Sequence, residues 1–368
     1  MRPRIIMPQD LLAKMQTGAD DFKKGYGIAR HDEGLVQILS LQPQDEFKEV
    51  AEVRANGLLL EDFRCTVSFP EIEAIPVEDE FVARSQGVID ASVITGKKAA
   101  FVGVGSVGSA IAVHLAQSAV GNFALLDPDV FSAANLSRHA GDLRDLGRYK
   151  TKAVRDLILH RNGDAKVRTF EDDFLTLTWG EQVERLRDSD LVIASTDSTA
   201  VQFMVNEICH RLQIPTLFIG CYERACAGEV LFVIPGQTAC FNCFMEFRQF
   251  NLAELKKKER QIPYSDGTMS EFHGEPGLAV DIAYVVAVAS AYALALLLPD
   301  SSRRSLLDIE RNLALVHSGS VPQGQYNEIF RMPFDFLLAH VNRDEVCQVC
   351  QTSINSAGGG HGSPTVAG

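Results

Sequence analysis

From Lys97 onwards, short apolar runs alternate with longer runs in which apolar and polar residues mix. The order is strand KKAAFVGVG, helix SVGSAIAVHLAQSA, strand NFALLDPD, helix GRYKTKAVRDLILHRN, strand KVRTFEDDF, short helix WGEQVERLRDSD, strand DLVIASTD, helix STAVQFMVNEICHRLQ and the strand pair PTLFIGCYERACAGEVLFVIPG. Strands that alternate with helices of this length form right-handed βαβ crossovers. The pattern predicts an α/β fold with a mainly parallel sheet, helices on both faces and a ligand site at the carboxyl ends of the strands.

The rest of the chain frames this α/β region. Residues 1–80 mix charged helix-like and short strand-like pieces, and they predict a small α+β module for recognition or packing that carries no catalytic motif. The second domain is predicted over residues 81–351, with a crossover loop at about 244–276 and two further strand-like pieces, NLALVHSG and NEIFRMPFDFLLAHV. The polar, glycine-rich tail over residues 352–368 predicts disorder.

The longest apolar run, GLAVDIAYVVAVASAYALALLL from Gly277 to Leu298, has the length of a membrane span. It contains Asp281 and several small residues, and no basic anchors follow it directly. We therefore predict a buried helix that covers the sheet, and no membrane contact.

Composition agrees with a chain of two domains. The chain has 368 residues, of which 46% are hydrophobic, so a large core and a smaller unit are expected. The formal net charge of −13 argues against general affinity for nucleic acid. The N-terminal stretch MRPRIIMPQDLLAKMQ lacks the continuous apolar core of a secretory signal, which predicts a cytoplasmic protein.

Eight cysteines in a cytoplasmic protein do not indicate a disulfide framework. Four of them form the pairs Cys240-x-x-Cys243 and Cys347-x-x-Cys350. Two such turns together supply the four sulfur ligands that structural zinc prefers, and this site would join distant chain segments. The alternative is four buried or redox-active cysteines. Cys65 and Cys209 are interpreted as packing residues.

A glycine motif, Gly103-x-Gly105-x-x-Gly108, lies between the first predicted strand and its helix. Such glycines let the backbone approach phosphates, and the N-terminus of the helix favours anions. About twenty residues later, Asp127 ends a strand, where a carboxylate can accept ribose hydroxyls. This motif alone fits a nicotinamide or flavin oxidoreductase as well as an ATP-dependent enzyme.

Polar residues further along the chain favour the ATP-dependent alternative. They are Asp129, Asn135, Arg138, Lys150 and, at the carboxyl end of a later strand, Asp197. Hydride transfer builds no charge on phosphorus and needs no cations there. Attack on an α-phosphate does need them, because negative charge spreads over the phosphoryl oxygens. One carboxylate at a strand end is also suited to hold Mg²⁺.

The stretches GVGSVGS, DPDVFSAANLSRH, GRYK, ASTD and CFNC…CQVC resemble, in this order, the ubiquitin-activating-type adenylyltransferases, that is, ThiF-, MoeB- and HesA-like enzymes. The resemblance covers about residues 81–350. It implies a Rossmann-like ATP-binding domain, a structural zinc ion and a homodimer. The implied substrate is the C-terminal carboxylate of a ubiquitin-fold protein, and the implied products are an acyl-adenylate and pyrophosphate.

The resemblance also implies roles for individual residues. Gly103, Gly105 and Gly108 match the nucleotide turn, and Asp127 matches the ribose ligand, with Asp129 beside it. Asn135, Arg138 and Lys150 match the groups around the triphosphate, and Asp197 matches the magnesium ligand. Arg84 is similar to an arginine that family members send into the ATP site of the neighbouring subunit, although a surface ion pair is an equal alternative for Arg84.

One family feature is missing from the sequence. Many relatives carry a cysteine in the crossover that accepts the acyl group, but residues 244–346 contain no cysteine. Either the enzyme stops at the acyl-adenylate, or Cys221 or Cys226 serves, with Arg224 between them stabilising a thiolate. The alternative is that both cysteines pack a strand. His139, next to Arg138, is interpreted as a hydrogen-bonding neighbour, and His273 as a solvated residue.

The leading functional hypothesis is activation of a ubiquitin-like protein for conjugation, with a conjugating enzyme as a further partner. Activation of a sulfur-carrier protein for thiamine- or molybdopterin-type sulfur transfer is an alternative. A second alternative is adenylation of a peptide that the N-terminal module clamps. An oxidoreductase and an inactive scaffold are further alternatives, but the first leaves Arg138 and Lys150 without a role, and the second would be expected to lose them.

Overall fold

The computed structural model describes residues 3–17, 24–43, 47–54, 57–60, 62–222, 225–247, 277–318, 330 and 332–351. The chain divides into two compact units, Met1–Gln86 and Gly87–Gly368. The boundary that the sequence predicts, between residues 80 and 81, lies six residues earlier. The predicted tail, most of the predicted crossover loop, Arg224 and His273 lie outside the described residues.

The first unit is an α+β module, as the sequence predicts. Its elements are β1 Arg4–Pro8, α1 Gln9–Gln16, β2 Lys24–Arg30, β3 Leu35–Ser40, β4 Lys48–Arg54, β5 Gly57–Leu60, β6 Cys65–Ser68, β7 Glu73–Ile75 and α2 Val77–Ala83. The seven strands form one sheet in the order β6-β5-β4-β2-β3-β1-β7. Alternate residues of β1, β2 and β3 are buried, and Leu12 and Met15 of α1 join the same core. The unit therefore has a hydrophobic core of its own.

The second unit is an α/β domain built on an eight-stranded sheet. Its elements are α3 Ala91–Ile94, β8 Lys98–Val102, α4 Ser106–Gln117, β9 Asn122–Leu126, α5 Lys150–Leu159, β10 Lys166–Phe170, α6 Trp179–Leu186, β11 Leu191–Ala194, α7 Thr199–Leu212, β12 Thr216–Cys221, β13 Ala227–Val233, α8 Ala279–Leu297, β14 Leu313–His317 and β15 Phe336–Ala339. The strand order is β10-β9-β8-β11-β12-β13-β14-β15. The first five strands are parallel, and the last three extend the sheet antiparallel.

Helices cover both faces of this sheet, which explains why the central strands are apolar throughout. Val102, Leu126 and Ala194 belong to the core on the face that α6 and α7 cover. Phe232 of β13 points to the other face, where its ring packs edge-on against Tyr292 of α8 at 5.4 Å. Parallel strands buried on both sides need apolar residues at every position. The predicted architecture is confirmed.

The long apolar helix α8 packs against the sheet and against α4. Among the described residues it is the one helix long and apolar enough to cross a membrane, and 67% of its most apolar window is buried. Ser290 of α8 lies 3.0 Å from Nδ1 of His114 on α4, and the two helices pack along their length. This packing is what the buried-helix interpretation requires.

Candidate active site

The glycine turn joins β8 to α4 at the carboxyl edge of the sheet. Gly103 has a φ of +92°, and a Cβ there would lie 2.8 Å from the carbonyl oxygen of Ser195. A Cβ on Gly108 would lie 2.4 Å from the carbonyl oxygen of Gly103. A Cβ on Gly105 would meet no atom within 4 Å. Gly103 and Gly108 are thus required by the packing of the chain. Gly105 instead leaves the backbone accessible at the N-terminus of α4, where an anion can bind.

Asp127 holds the glycine turn against the end of β9. One carboxylate oxygen accepts a hydrogen bond from the N–H of Val104 at 2.8 Å, and the other accepts one from the N–H of Asp129 at 2.9 Å. Burial raises the pKa of the Asp127 carboxyl, while the Val104 N–H and the charge of Lys150 oppose this shift. Each oxygen keeps a free lone pair, so the carboxylate can still accept a ribose hydroxyl.

His139 holds the same turn from the other side. Its Nδ1 accepts a hydrogen bond from the N–H of Gly141 at 2.9 Å, so we assign the proton to Nε2, which donates to the carbonyl oxygen of Val104 at 2.8 Å. The ring packs edge-on against Phe131 at 5.0 Å. Burial lowers the pKa of His139 to about 4, so the imidazole is neutral at physiological pH. The sequence interpretation of His139 as a hydrogen-bonding neighbour of Arg138 fits this geometry.

Asn135 and Arg138 lie on the loop that connects Asp127 to α5. Oδ1 of Asn135 accepts hydrogen bonds from the N–H and the hydroxyl of Ser132, at 2.8 and 3.1 Å, and so closes a short 3-10 turn. The N–H of Arg138 donates to the carbonyl oxygen of Asn135 at 3.1 Å. The turn therefore fixes the backbone from which the arginine projects.

Lys150 is the first residue of α5 and pairs with Asp129. Its Nζ lies 2.6 Å from a carboxylate oxygen of Asp129, and its N–H donates to the Asp129 carbonyl oxygen at 2.9 Å. The Lys150 side chain is 11% exposed, and that of Asp129 is 64% exposed. Asp129 thus holds the lysine in place from the solvent side, a role that the sequence did not indicate.

Asp197 follows β11, and Cys221 is the last residue of the neighbouring strand β12. Asp197 is exposed, and it makes no hydrogen bond or ion pair within the part of the chain that the structure describes. The surrounding protein, and then the charges of Asp197 and Glu229, raise the pKa of the Cys221 thiol to about 12, although the residue as a whole is exposed. The charge of Arg138 opposes this shift. The charges of Arg138 and Asp197 therefore both act on the Cys221 thiol.

The two candidate nucleophiles differ in access. Cys221 is exposed, but its thiol is protonated at neutral pH, which does not favour nucleophilic attack. Cys226 is 5% exposed, and its carbonyl oxygen accepts a hydrogen bond from the N–H of Ser318 at 2.9 Å. The assignment of a nucleophilic cysteine stays a prediction.

Arg84 lies at the C-terminus of α2 in the first unit. Its side chain is exposed and has no hydrogen bond or ion pair within the described ranges. Arg84 thus forms no surface ion pair with the described residues. Its predicted role in a neighbouring subunit stays a prediction.

Two polar contacts at this end of the strands are not predicted by the sequence. Ser195 donates from its hydroxyl to the carbonyl oxygen of Gly103 at 2.7 Å. The hydroxyl of Tyr222 donates to the buried carboxylate of Glu229 at 2.7 Å. The second contact depends on the antiparallel register of β12 and β13, in which Gly220 lies opposite Glu229. A single sequence carries no signal for that register.

The four cysteines of the two pairs converge on the α7 side of the sheet. Their sulfur atoms all lie within 4.8 Å of one another, and all four residues are buried: Cys240, Cys243, Cys347 and Cys350. Three of the distances are 3.8, 3.6 and 3.7 Å. A tetrahedron with metal–sulfur bonds of about 2.3 Å has edges of about 3.8 Å, whereas a disulfide would bring two sulfurs to about 2 Å. The donors and their spacing fit a tetrahedral metal site.

Comparisons with known proteins agree with this geometry. The ThiF family model matches residues 85–315, more than half of the chain. Ubiquitin-like modifier-activating enzyme 5 of Caenorhabditis elegans is 26% identical over 246 residues, which are 64% of this chain and 57% of that protein. The same enzyme of Caenorhabditis briggsae is 29% identical over 181 residues, 47% of this chain and 42% of that protein. The chain spans about half the length of these curated relatives.

Solved structures show the same fold. A crystal structure of E. coli MccB with ATP has a TM-score of 0.53 and 19% identity, covering 71% of this chain and 68% of that one. A crystal structure of PaaA has a TM-score of 0.56 and 18% identity, covering 77% of this chain and 88% of that one. At this identity the likeness concerns the fold alone. With the family match over most of the second unit, the glycine turn and the cysteine cluster, the chain belongs to the ThiF family.

Proposed function

We propose that this protein is an adenylyltransferase that uses Mg²⁺ and ATP to activate the C-terminal carboxylate of a ubiquitin-like protein, with release of pyrophosphate. One observation carries the proposal. An open backbone turn at Gly105 lies at the same end of the strands as the cations Arg138 and Lys150 and as Asp197, a carboxylate with no partner among the described residues. The names of the curated relatives support the substrate class.

The residues at this edge suit the parts of an ATP molecule. Gly105 and the N-terminus of α4 would receive the phosphates, and Asp127 would accept the ribose hydroxyls. Arg138 and Lys150 would bind the triphosphate, with Lys150 exchanging Asp129 for a phosphate oxygen. Bound Mg²⁺ would neutralise phosphate charge, and Asp197, an exposed carboxylate with no partner among the described residues, is suited to hold it.

The chemistry needs positioning and positive charge more than proton transfer. An oxygen of the substrate carboxylate attacks the α-phosphorus, and the bond from the α-phosphorus to the oxygen bridging to the β-phosphate breaks. The carboxylate is already ionised and pyrophosphate leaves as an anion, so no general base is required. Arg138 and Lys150 stabilise the charge on the phosphoryl oxygens. The neutral His139 and Asp127 keep the turn rigid during this step.

We also propose that the cysteine cluster binds Zn²⁺. Four thiolates at tetrahedral spacing are the ligand set that structural zinc prefers, and a site with four protein ligands leaves no position for a substrate. A cytoplasmic homodimer in which Arg84 completes the partner's site, and onward transfer to a conjugating enzyme, extend the proposal from the sequence resemblance.

Two alternative substrates belong to the same reaction class. Several structural neighbours are structures of MccB with MccA. The first unit of this chain has a hydrophobic core of its own, so it could serve as a module that clamps a peptide. A sulfur-carrier protein is the other alternative. All three substrates would present a C-terminus to the same site, so the alternatives differ in the partner and not in the class of reaction.

The test is ATP–pyrophosphate exchange in the presence of any ubiquitin-like protein that is encoded beside the gene. We expect exchange that depends on this partner and that falls at least about 100-fold in Asp197→Asn, because the Mg²⁺ that would neutralise the phosphate charge loses its carboxylate ligand. Asp164→Asn is the matched control, since Asp164 is also exposed but precedes β10 at the opposite sheet edge. Exchange with a neighbouring short peptide instead would select the peptide alternative, and no exchange with any encoded partner would overturn the proposal.

A further inference from the structure

Helix α7 connects the candidate active site to the cysteine cluster. It begins at Thr199, directly after Asp197 and Ser198, and ends at Leu212. Asn206 lies two turns into the helix, about 10 Å from Thr199 along its axis. One rigid element thus carries Asp197 at its N-terminus and a buried polar side chain further along.

The N-terminal end of α7 is fixed to the segment that contains Asp197. The side chain of Ser198 accepts a hydrogen bond from the N–H of Val201 at 3.4 Å and so caps the helix. The amide of Gln202 donates to the carbonyl oxygen of Thr196 at 3.1 Å. Both flanking residues of Asp197 are therefore tied to the first turn of the helix, and a displacement of that turn would move the carboxylate.

Asn206 joins the middle of α7 to the first cysteine pair. It is 1% exposed. Its Oδ1 accepts a hydrogen bond from the N–H of Phe241 at 3.1 Å, and its Nδ2 donates to Oδ1 of Asn242 at 2.9 Å. Phe241 and Asn242 are the two residues between Cys240 and Cys243. The asparagine therefore binds the turn of the cysteine pair through both residues that the pair encloses.

Aromatic side chains also connect α7 to the cysteine turn, but ring packing depends less on orientation than a hydrogen bond does. The Phe241 ring stacks on Phe218 of β12 at 4.6 Å and packs edge-on against Phe203 of α7 at 5.3 Å. Apolar contacts of this kind persist when a turn shifts, whereas buried hydrogen bonds are lost. Asn206 is thus the contact most sensitive to the conformation of the cysteine turn.

We propose that Asn206 is a positioning residue that couples metal binding at the four cysteines to Mg-ATP binding at Asp197. The inference rests on the proposed function for the identity of the nucleotide. A bound metal fixes the Cys240–Cys243 turn and with it both hydrogen-bond partners of Asn206. Without the metal, the turn and α7 gain freedom, and Mg-ATP binding must then restore the order.

Coupling between two binding sites is reciprocal, which gives the proposal two independent measurements. Removing the metal with a zinc-selective chelator is expected to raise the Kd for Mg-ATP about tenfold, the effect of about one lost buried hydrogen bond. Saturating Mg-ATP is expected to raise the affinity for Zn²⁺, measured by competition with the chelator, by the same factor. Neither measurement requires the carrier protein or turnover.

Three variants test whether the coupling between the two binding sites depends on Asn206. In Asn206→Ala both tenfold effects should shrink to less than about twofold. Asn242→Ala removes only one of the two hydrogen bonds at a half-buried position, so it should show an intermediate coupling and serves if Asn206→Ala folds poorly. Asn162→Ala is the matched control, because Asn162 is also buried and donates to the carbonyl oxygen of Val120 away from α7. It should keep the full coupling.

Three results would overturn the inference. The first is a Kd for Mg-ATP that is unchanged when the metal is removed from the wild-type chain. The second is full coupling in Asn206→Ala, and the third is an equal loss of coupling in Asn162→Ala. Mg-ATP that failed to bind the metal-loaded chain would overturn the proposed function as well, whereas binding without coupling would overturn this inference alone.

Discussion

The glycine turn and the cysteine cluster lie in the same unit, but the first exposes its functional groups to solvent and the second buries them. At the glycine turn, the backbone at Gly105 is open and Asp197 is exposed without a partner among the described residues. At the cluster, all four cysteines are buried and their sulfur atoms face one another. The open turn is suited to a ligand that binds and dissociates, whereas the buried cluster is suited to a metal ion that stays bound.

This difference separates residues that maintain the fold from residues that serve a ligand. Within the glycine turn itself, Gly103 and Gly108 belong to the first kind, because chain atoms occupy the space of their missing side chains. Gly105 is expected to belong to the second kind, because a Cβ there would meet no atom of the chain within 4 Å. Substitutions in the cluster should therefore reduce stability, and those at the open edge should reduce binding while stability is kept.

The largest effect is expected for Cys243→Ser. Loss of one of the four cysteines would abolish the proposed metal site and leave three buried thiols without a ligand, so we expect a fall in stability of at least about 3 kcal/mol. The melting temperature should fall on the order of 10 °C, and the metal content per chain should approach zero. Both quantities are measured by thermal unfolding and elemental analysis.

Cys209→Ala is the control for this change. Cys209 is also buried, but it lies on α7 outside the cluster, and burial raises its thiol pKa to about 12. We expect a loss of about 1 kcal/mol and full metal content. Equal metal content in both variants would contradict the assignment of the cluster as a metal site.

The second effect concerns Gly108→Ala and Gly105→Ala, which test the comparison within one motif. A Cβ at residue 108 would collide with the Gly103 carbonyl oxygen and the Ser195 hydroxyl, so we expect a loss of about 2 kcal/mol or more in stability. A Cβ at residue 105 meets open space, so stability should change by less than about 0.5 kcal/mol. Mg-ATP affinity should nevertheless fall about tenfold or more in Gly105→Ala, because the methyl group lies where the phosphates approach.

Chemical unfolding and Mg-ATP titration of both variants provide the measurement. The comparison fails if Gly105→Ala is the more destabilised of the two. It also fails if Gly105→Ala binds Mg-ATP as tightly as the wild-type chain does.

The smallest effect is a pH dependence carried by His139. Its pKa is about 4 in the folded chain and about 6.5 in the unfolded chain, so the unfolded state takes up the proton first on acidification. The stability contributed by the neutral imidazole is complete above about pH 6.5 and is lost as the pH falls towards 4. Between pH 7 and pH 5 we expect a loss of about 2 kcal/mol from this residue.

His139→Gln isolates this contribution. Asp127 and the other acidic groups are present in both chains, so the difference between their unfolding free energies at pH 7 and pH 5 reports the imidazole alone. The variant should be less stable at pH 7, because the hydrogen bonds to Val104 and Gly141 are weakened, but it should lose less stability at pH 5. The same pH dependence in both chains would show that His139 does not titrate in this range.

Much of the fold was predictable because its signals are local. The strand–helix alternation gave the parallel part of the sheet, and the strand-like pieces after the apolar helix contain β14 and β15. The helix predicted from Gly147 begins instead at Lys150. Gly147 has a φ of +82°, and the Arg148 carbonyl oxygen accepts a hydrogen bond from the N–H of Phe131, so the segment serves the preceding loop.

The sequence by itself determined the list of chemical groups and the order in which strands present them. Parallel βαβ units bring successive strand ends to one edge, so Gly105, Asp127 and Asp197 had to lie near one another. Only the tertiary structure decided which of these groups hydrogen-bond or pair with other parts of the described chain and which are left accessible to a ligand. Asp127 and His139 hold Val104, Asp129 holds Lys150, and Asn206 holds the cysteine turn. These contacts join residues as many as 35 positions apart through packing and register, which no local periodicity encodes.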